Sequence, residues 1–387
     1  MPRIVMLTTS LAPGGAEAQV FRLSLELKRR GWDLAVVSLL PPASYADALE
    51  AAGVPVFSLG MRPGIPDLRG LLRLASALKR LRPQVLHSHM FHANLLARIV
   101  RLLCPAPVVI STLHSAAESP RSAAFPGGDA RIPAGMSSSR DFLYRLTDPL
   151  ADAVAAVSRA AADRHASCRA VRPSKLRVIP NAVDTSVFRP DPNRRERTRG
   201  ELGFESEFLW LAAGRLMWKK DYPTLLRAFS SLKGSTLLIA GAGPREAELK
   251  SLAAELDLNA RVRFLGQVDD MPALMNAADA LAMSSLVEGL PVALLEAAAS
   301  GLPAVATDAG GVREILGKDE AGLVVPPNDP PALAAAMERL EALPADARER
   351  MSRAARAIAV DRFDPSVVVA LWEALYRDLL ENAAPWT

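Results

Sequence analysis

The sequence predicts an α/β protein built from two doubly wound, parallel-sheet domains. Three observations carry that expectation. Strand-like runs alternate with helical periods along most of the chain, which implies right-handed βαβ units. The strand-like runs are nearly continuous in apolar residues, as in sheets covered on both faces. The chain has 387 residues, enough for two domains of ordinary size.

Taken in order, Arg3–Thr9, Asp33–Leu39, Val54–Leu59, Gln84–Ser88, Val108–Thr112, Ala153–Val157 and Leu176–Ile179 read as strands of the first half. In the second half Phe208–Ala213, Thr236–Ala240, Val262–Leu265, Ala280–Met283, Ala304–Thr307 and Leu323–Val325 do so. Apolar residues at helical spacing lie between them, at Glu17–Arg30, Leu68–Leu81, Ala93–Leu103, Thr224–Leu232, Glu246–Leu256, Pro291–Ala299 and Ala332–Leu340. The polar stretch Asp184–Glu207 carries two prolines and precedes a fresh strand, so it reads as the linker. Expected domains are residues 1–185 and 186–365, with 366–387 as a C-terminal helix packing back toward the first. Ser115–Ser138 shows no period, and a loop of that length inside a compact domain is either mobile or functional. No internal repeat is evident.

Composition excludes several classes. Apolar residues make up 50% and charged residues 23%, which is globular rather than disordered or fibrous. Two distant cysteines, Cys104 and Cys168, give neither a disulfide framework nor a zinc pattern, so a reducing compartment is expected. No apolar run approaches the roughly 18 residues of a spanning helix, and Ile4–Leu7 is too short for a signal peptide, so the expected location is cytoplasmic. The net charge of +4 hides an asymmetry: residues 1–180 hold 23 Lys and Arg against 12 Asp and Glu, a net of +11, and the remainder hold 23 against 30, a net of −7. The first half should therefore face something anionic. With 5% aromatic residues and no recognisable motif, nucleic acid is not expected; a phosphorylated acceptor or an anionic membrane surface fits better. Arg69, Arg73, Lys79, Arg80 and Arg82 alternate with Leu71, Leu72, Leu74, Leu78 and Leu81, which suits either a helix lying on such a membrane or one whose leucines face the core.

In open parallel sheets ligands bind at the carboxyl ends of strands, and the residues with chemistry lie there. Gly14 and Gly15 open a helix after the first strand, where backbone N–H groups can approach an anion. Gly214, Arg215, Lys219 and Lys220 follow Phe208–Ala213; a guanidinium fork beside a lysine point charge suits a diphosphate. Glu288 and Glu296 frame Gly289, Leu290, Pro291 and Val292, and Glu296 stands on an otherwise apolar helix, where a carboxylate needs a partner such as a sugar hydroxyl. Gly241–Gly243 reads as a turn, because Glu246 stands where a dinucleotide fingerprint needs its third glycine; Gly310–Gly311 either repeats the strand–glycine–helix layout of Gly14–Gly15 or is a plain turn. His114 ends a strand and could donate to a hydroxyl or a leaving phosphate. His87, His89 and His92 read as packing or hydrogen-bonding residues. His87 and His89 share one strand face without a third ligand at sensible spacing, and no D-x-D pair supports a chelated metal.

The segments Pro180–Phe188, Gly214–Phe229, Ile239–Leu249, Phe264–Ala280 and Ser284–Leu316 together resemble the family-4 (group 1) retaining glycosyltransferases of the GT-B fold. That resemblance implies two Rossmann-like domains facing across a cleft, the first taking the acceptor and the second the nucleotide-sugar. It implies that Arg215 and Lys220 neutralise the leaving diphosphate and that Asp221 stands where a glycine is often found. Glu288 would hold a donor-sugar hydroxyl and Glu296 the ribose. Gly15 would meet the diphosphate or acceptor and His114 the donor sugar, with backbone at Leu290–Val292 on phosphate and near Val268 on the base. No cofactor or metal is expected. The implied activity is transfer from a nucleotide-sugar, UDP-linked rather than GDP-linked, to a glycan or lipid-linked acceptor. Rivals are a nucleotide-sugar 2-epimerase or a phosphorylase of the same fold, and a non-catalytic sugar-binding protein, for which a leaving-group clamp would be superfluous.

Overall fold

The computed structural model describes residues 2–62, 67–104, 106–115, 139–317 and 319–383. The aperiodic segment lies outside them from residue 116 to 138. The chain forms two compact units: one runs to Ala182 and includes the segment from Pro365, the other spans Val183–Asp364.

The strands of the first unit are β1 (Arg3–Thr8), β2 (Asp33–Ser38), β3 (Val56–Ser58), β4 (Val85–His89), β5 (Val108–Leu113), β6 (Ala153–Ala156) and β7 (Leu176–Val178). Its helices are α1 (Gly15–Arg29), α2 (Tyr45–Ala51), α3 (Leu68–Leu81), α4 (Phe91–Val100), α5 (Ser139–Thr147) and α6 (Arg159–Ser167). The second unit holds α7 (Pro192–Leu202), β8 (Phe208–Ala213), α8 (Tyr222–Ser231), β9 (Ser235–Ala240), α9 (Glu246–Glu255), β10 (Val262–Gly266) and α10 (Met271–Ala277). It continues with β11 (Ala280–Met283), α11 (Val292–Ala299), β12 (Ala304–Thr307), α12 (Val312–Leu316), β13 (Gly322–Val325), α13 (Pro330–Glu341) and α14 (Ala345–Phe363). Helix α15 (Pro365–Glu381) belongs to the first unit.

Both sheets are parallel, in the orders β3-β2-β1-β4-β5-β6-β7 and β10-β9-β8-β11-β12-β13. Each order reverses direction once, between β1 and β4 and between β8 and β11. The apolar strands are explained by coverage of both faces. Ile4 and Met6 of β1 join one core with Val20, Leu27, Trp372 and Tyr376, while Val5 and Leu7 join another with Leu74, Leu78 and Ala97.

Capping residues mark the helix starts. The side chains of Asp67, Ser158, Asp191, Asp270 and Asp329 accept from backbone N–H groups in the first turns of α3, α6, α7, α10 and α13.

One sequence expectation changes, and one open alternative is decided. The stretch read as a linker contains α7. Its lack of an apolar stripe hid it, because arginines rather than leucines fasten it. Arg195 donates to the carbonyls of Asn276, Ala277 and Ala278, and Arg199 donates to that of Ala277; both pair with Asp279. On α3, Leu74 and Leu78 are fully buried, Leu71 and Leu81 pack on the same core, and Leu72 points outward. Four leucines of α3 therefore face the core, and its cations are surface groups, Arg73 paired with Asp67 and Arg80 lying over the Phe57 ring. Among the described residues no helix is long and apolar enough to cross a membrane.

Helix α15 is held by polar as well as apolar contacts: the Tyr376 hydroxyl lies 2.7 Å from His87 Nδ1, both fully buried. Tyr376→Phe should strip a buried ring nitrogen of its partner and cost about 1–3 kcal/mol. The check is a urea titration, where the midpoint should fall at unchanged slope; an unmoved midpoint would mean that the Tyr376–His87 hydrogen bond adds nothing to the docking of α15.

Candidate active site

In the second unit the direction reversal places two loops side by side, Gly214–Asp221 after β8 and Ser284–Pro291 after β11. They are stitched through the main chain: Leu286 N–H donates to the Lys219 carbonyl at 2.8 Å, and the Ser284 hydroxyl lies 2.8 Å from the carbonyls of both Lys220 and Asp221. This brings Lys220 Nζ to 2.6 Å from Glu288 Oε1, with both side chains largely buried. Arg215 is exposed, and among the described residues its guanidinium has no ion-pair partner. An exposed guanidinium next to a lysine and a carboxylate offers two cations for a polyanion and one acceptor for hydroxyls.

The glycine turns turn out to be spacers for these loops. A Cβ on Gly241 would lie 2.1 Å from the Gly214 carbonyl oxygen, so the turn after β9 supports the cationic loop at bare-backbone distance. Gly310, at φ +59°, would bring a Cβ to 2.4 Å from the Glu288 carbonyl oxygen, and Gly311 N–H donates to the Gly289 carbonyl at 2.8 Å. Sequence reasoning also passed over Tyr222, whose hydroxyl donates to the Gly214 carbonyl at 2.9 Å, and Ser284; a hydroxyl directly after a strand end was the available signal for the latter. Asp221 has φ +44°, in the left-handed region that glycine adopts without steric penalty.

Gly289 and Leu290 are buried, Pro291 precedes α11, and Val292 is its first residue; the N-terminus of α11 favours negative charge. Glu296 is half-buried on α11, flanked by buried Leu294, Leu295 and Ala297. Val268 lies half-buried in the loop after β10.

In the first unit, Gly14 caps α1 and Gly15 opens it. The Glu17 carboxylate, accepting from the Ser10 hydroxyl at 3.0 Å, lies against Gly14, so an anion at this turn would have to displace it. His114 directly follows β5, with Nε2 at 3.1 Å from His89 Nδ1. His87 and His89 are buried, and His92 is exposed on α4. Burial lowers the pKa of His114 to about 4 and that of His87 to about 3, so both imidazoles are neutral at pH 7.

A second cluster joins Asp141, His165 and Cys168, whose ligand-type atoms lie within 4.8 Å of one another. Arg164 donates to both Asp141 oxygens and to Cys168 Sγ, so any cation here would have to displace a guanidinium that already neutralises the carboxylate.

Two Rossmann-like units, one with a cation–carboxylate pair at its direction reversal, define the GT-B class of glycosyltransferase folds. The chain matches the family described as Glycosyltransferase Family 4 over residues 13–187 and that described as Glycosyl transferases group 1 over 194–358. It belongs to the group 1 glycosyltransferases.

Among curated relatives, an Escherichia coli UDP-Gal:alpha-D-GlcNAc-diphosphoundecaprenol alpha-1,3-galactosyltransferase is 26% identical, with 68% of each chain covered. A glycogen synthase of Mycobacterium tuberculosis is 28% identical over 97% of this chain and 94% of its own. A GDP-mannose-dependent phosphatidylinositol monomannoside mannosyltransferase of that organism is 34% identical over 48% of this chain and 51% of its own. Among solved structures, Anabaena HepE in complex with UDP superposes with a TM-score of 0.82 at 22% identity, covering 97% of this chain and 100% of that one. WaaG, a glycosyltransferase involved in lipopolysaccharide biosynthesis, gives a TM-score of 0.73 at 17% identity over 95% and 99%.

Two outcomes follow from the geometry. Gly310→Ala should push the Glu288 loop aside and abolish stabilisation by UDP or GDP in a thermal-shift assay, whereas Gly200→Ala, with open space around it, should leave that stabilisation intact. The buried histidines make folding pH-dependent. Their folded pKa values lie below the unfolded value near 6.5, so the unfolded chain binds more protons and stability falls as pH drops from about 6.5 toward 4. Each of His87, His114 and His165 should contribute up to about 1.4 kcal/mol per pH unit in that window. Urea midpoints that are level from pH 5 to 7.5 would contradict this.

Proposed function

We propose that this glycosyltransferase moves a sugar from a nucleotide-sugar, UDP-linked in preference to GDP-linked, to a glycan or lipid-linked acceptor, with retention at the anomeric carbon and without a metal ion. The observation that carries the reading is the Lys220–Glu288 pair beside exposed Arg215 at the carboxyl edge of the second sheet. A polyanion entering there gives Lys220 a new partner and releases Glu288 to accept from a sugar hydroxyl.

As the bond between the anomeric carbon and the phosphate oxygen breaks, Arg215 and Lys220 stabilise the charge gathering on the diphosphate. The acceptor hydroxyl attacks the same face and passes its proton to the departing phosphate oxygen. Backbone at Gly214, Gly289, Leu290, Pro291 and Val292 lies along the phosphates, Glu296 holds the ribose, and Val268 neighbours the base. In the first unit Gly14 and Gly15 are assigned to the diphosphate or acceptor, and neutral His114 to hydrogen bonding with the transferred sugar.

The HepE complexes with UDP and with UDP-glucose support the donor preference, while the GDP-mannose-dependent relatives require that both bases be tested. The diphosphoundecaprenol and phosphatidylinositol acceptors of two relatives support a lipid-linked acceptor. The net of +11 in residues 1–180 supports a cytoplasmic protein in peripheral contact with an anionic membrane.

The test is nucleotide release from a panel of UDP- and GDP-sugars in the presence of EDTA. One donor should be turned over, and Lys220→Ala should lower kcat by about 100- to 1,000-fold. Silence across the panel, with no thermal stabilisation by UDP or GDP, would overturn the reading.

A further inference from the structure

The first unit contains a run of aromatic side chains that reaches from α15 to His114. His87 is gripped on both ring nitrogens, with Nδ1 at 2.7 Å from the Tyr376 hydroxyl and Nε2 at 2.7 Å from Thr112 Oγ1. Its ring lies 4.5 Å from the ring of Trp372 and 4.1 Å from that of His89. His89 closes the run, its Nδ1 standing 3.1 Å from His114 Nε2.

A hydrogen bond between two neutral imidazoles contains a single proton, so the two tautomers are linked. If His89 carries its proton on Nδ1, His114 must accept on Nε2 and carry its own proton on Nδ1; the opposite assignment reverses both rings. The two remaining nitrogens, His89 Nε2 and His114 Nδ1, are buried and have no partner among the described residues. Both rings border a cavity of about 20 Å³, together with Thr112, Asn181 and Trp372.

We propose that His89 is a positioning residue for His114, fixing through its Nδ1 the ring plane that His114 presents to the sugar and locking the tautomer of His114 to its own. His87, braced by Tyr376 and Trp372, holds the His89 ring in place. The functional half of this proposal rests on the glycosyltransferase reading; the pairing of the two rings rests on geometry alone.

Long-range ¹H–¹⁵N correlation spectra of the histidine rings at pH 7 report the tautomers directly. His89 and His114 should show the same tautomer in the wild-type protein, and the tautomer of His114 should change in His89→Leu. His89→Asn, whose amide reaches the Nδ1 position, should restore the wild-type state. In the donor-release assay His89→Leu should lose about 10- to 100-fold in kcat with an unchanged donor KM, and His89→Asn should recover most of it. If His89→Leu does not fold, His89→Gln, whose amide falls at the Nε2 position instead, takes its place with the same expected loss. An unaltered His114 tautomer and kcat in the Leu or Gln variant, or equal losses in the Leu and Asn variants, would overturn the proposal. If the wild-type protein turns over no donor, the glycosyltransferase reading fails by itself and the ring spectra still decide the pairing.

Discussion

Parallel strands cannot be joined by tight turns; each needs a crossover, and the hand of that crossover is fixed. Once a chain lays its first strand in the middle of a sheet and builds outward in both directions, the connections on either side of that centre must part company. In both sheets the parting falls beside the first strand laid down, between β1 and β4 and between β8 and β11. In the second unit it sets a cationic loop against an acidic one. The Lys220–Glu288 pair follows from this constraint, since residues 68 positions apart meet because their strands are neighbours.

Local chemistry then fits the parted loops together. Glycine stands where main chain must pass main chain, as Gly241 does against Gly214 and Gly310 against Glu288. Hydroxyls of Ser284 and Tyr222 donate to loop carbonyl groups, those of Lys220 and Asp221 and that of Gly214. The loops are thus held by groups other than the charged ones, which leaves the charges available for a ligand.

Much of this was legible in sequence because it depends on local pattern. The strands of the second sheet stood out as short apolar runs, and Phe208–Ala213, Ala280–Met283 and Ala304–Thr307 have the same limits in both readings. The helix α7 was not legible, because its arginines bind carbonyl groups of Asn276–Ala278 that no periodicity could reveal. The spacer role of Gly241 and Gly310 was equally hidden, since a turn and a close approach call for the same residue. The run from α15 through His87 and His89 of β4 to His114 after β5 crosses three elements and depends on the register that sets His89 opposite Thr112 on the neighbouring strand. Register follows from pairing, and pairing is not written in any one segment.

The return of α15 to the first unit has a consequence for how the protein is made. Trp372 and Tyr376 complete the core that Ile4, Met6 and Trp32 begin, yet they are synthesised after the whole of the second unit. During translation the second unit, continuous in sequence, can close as soon as it emerges. The first unit must wait with one face of its sheet incomplete until α15 leaves the ribosome. Ile4 and Met6, made before the second unit, therefore reach their final packing only after it, and loss of α15 would leave an apolar sheet face open to chaperones or aggregation.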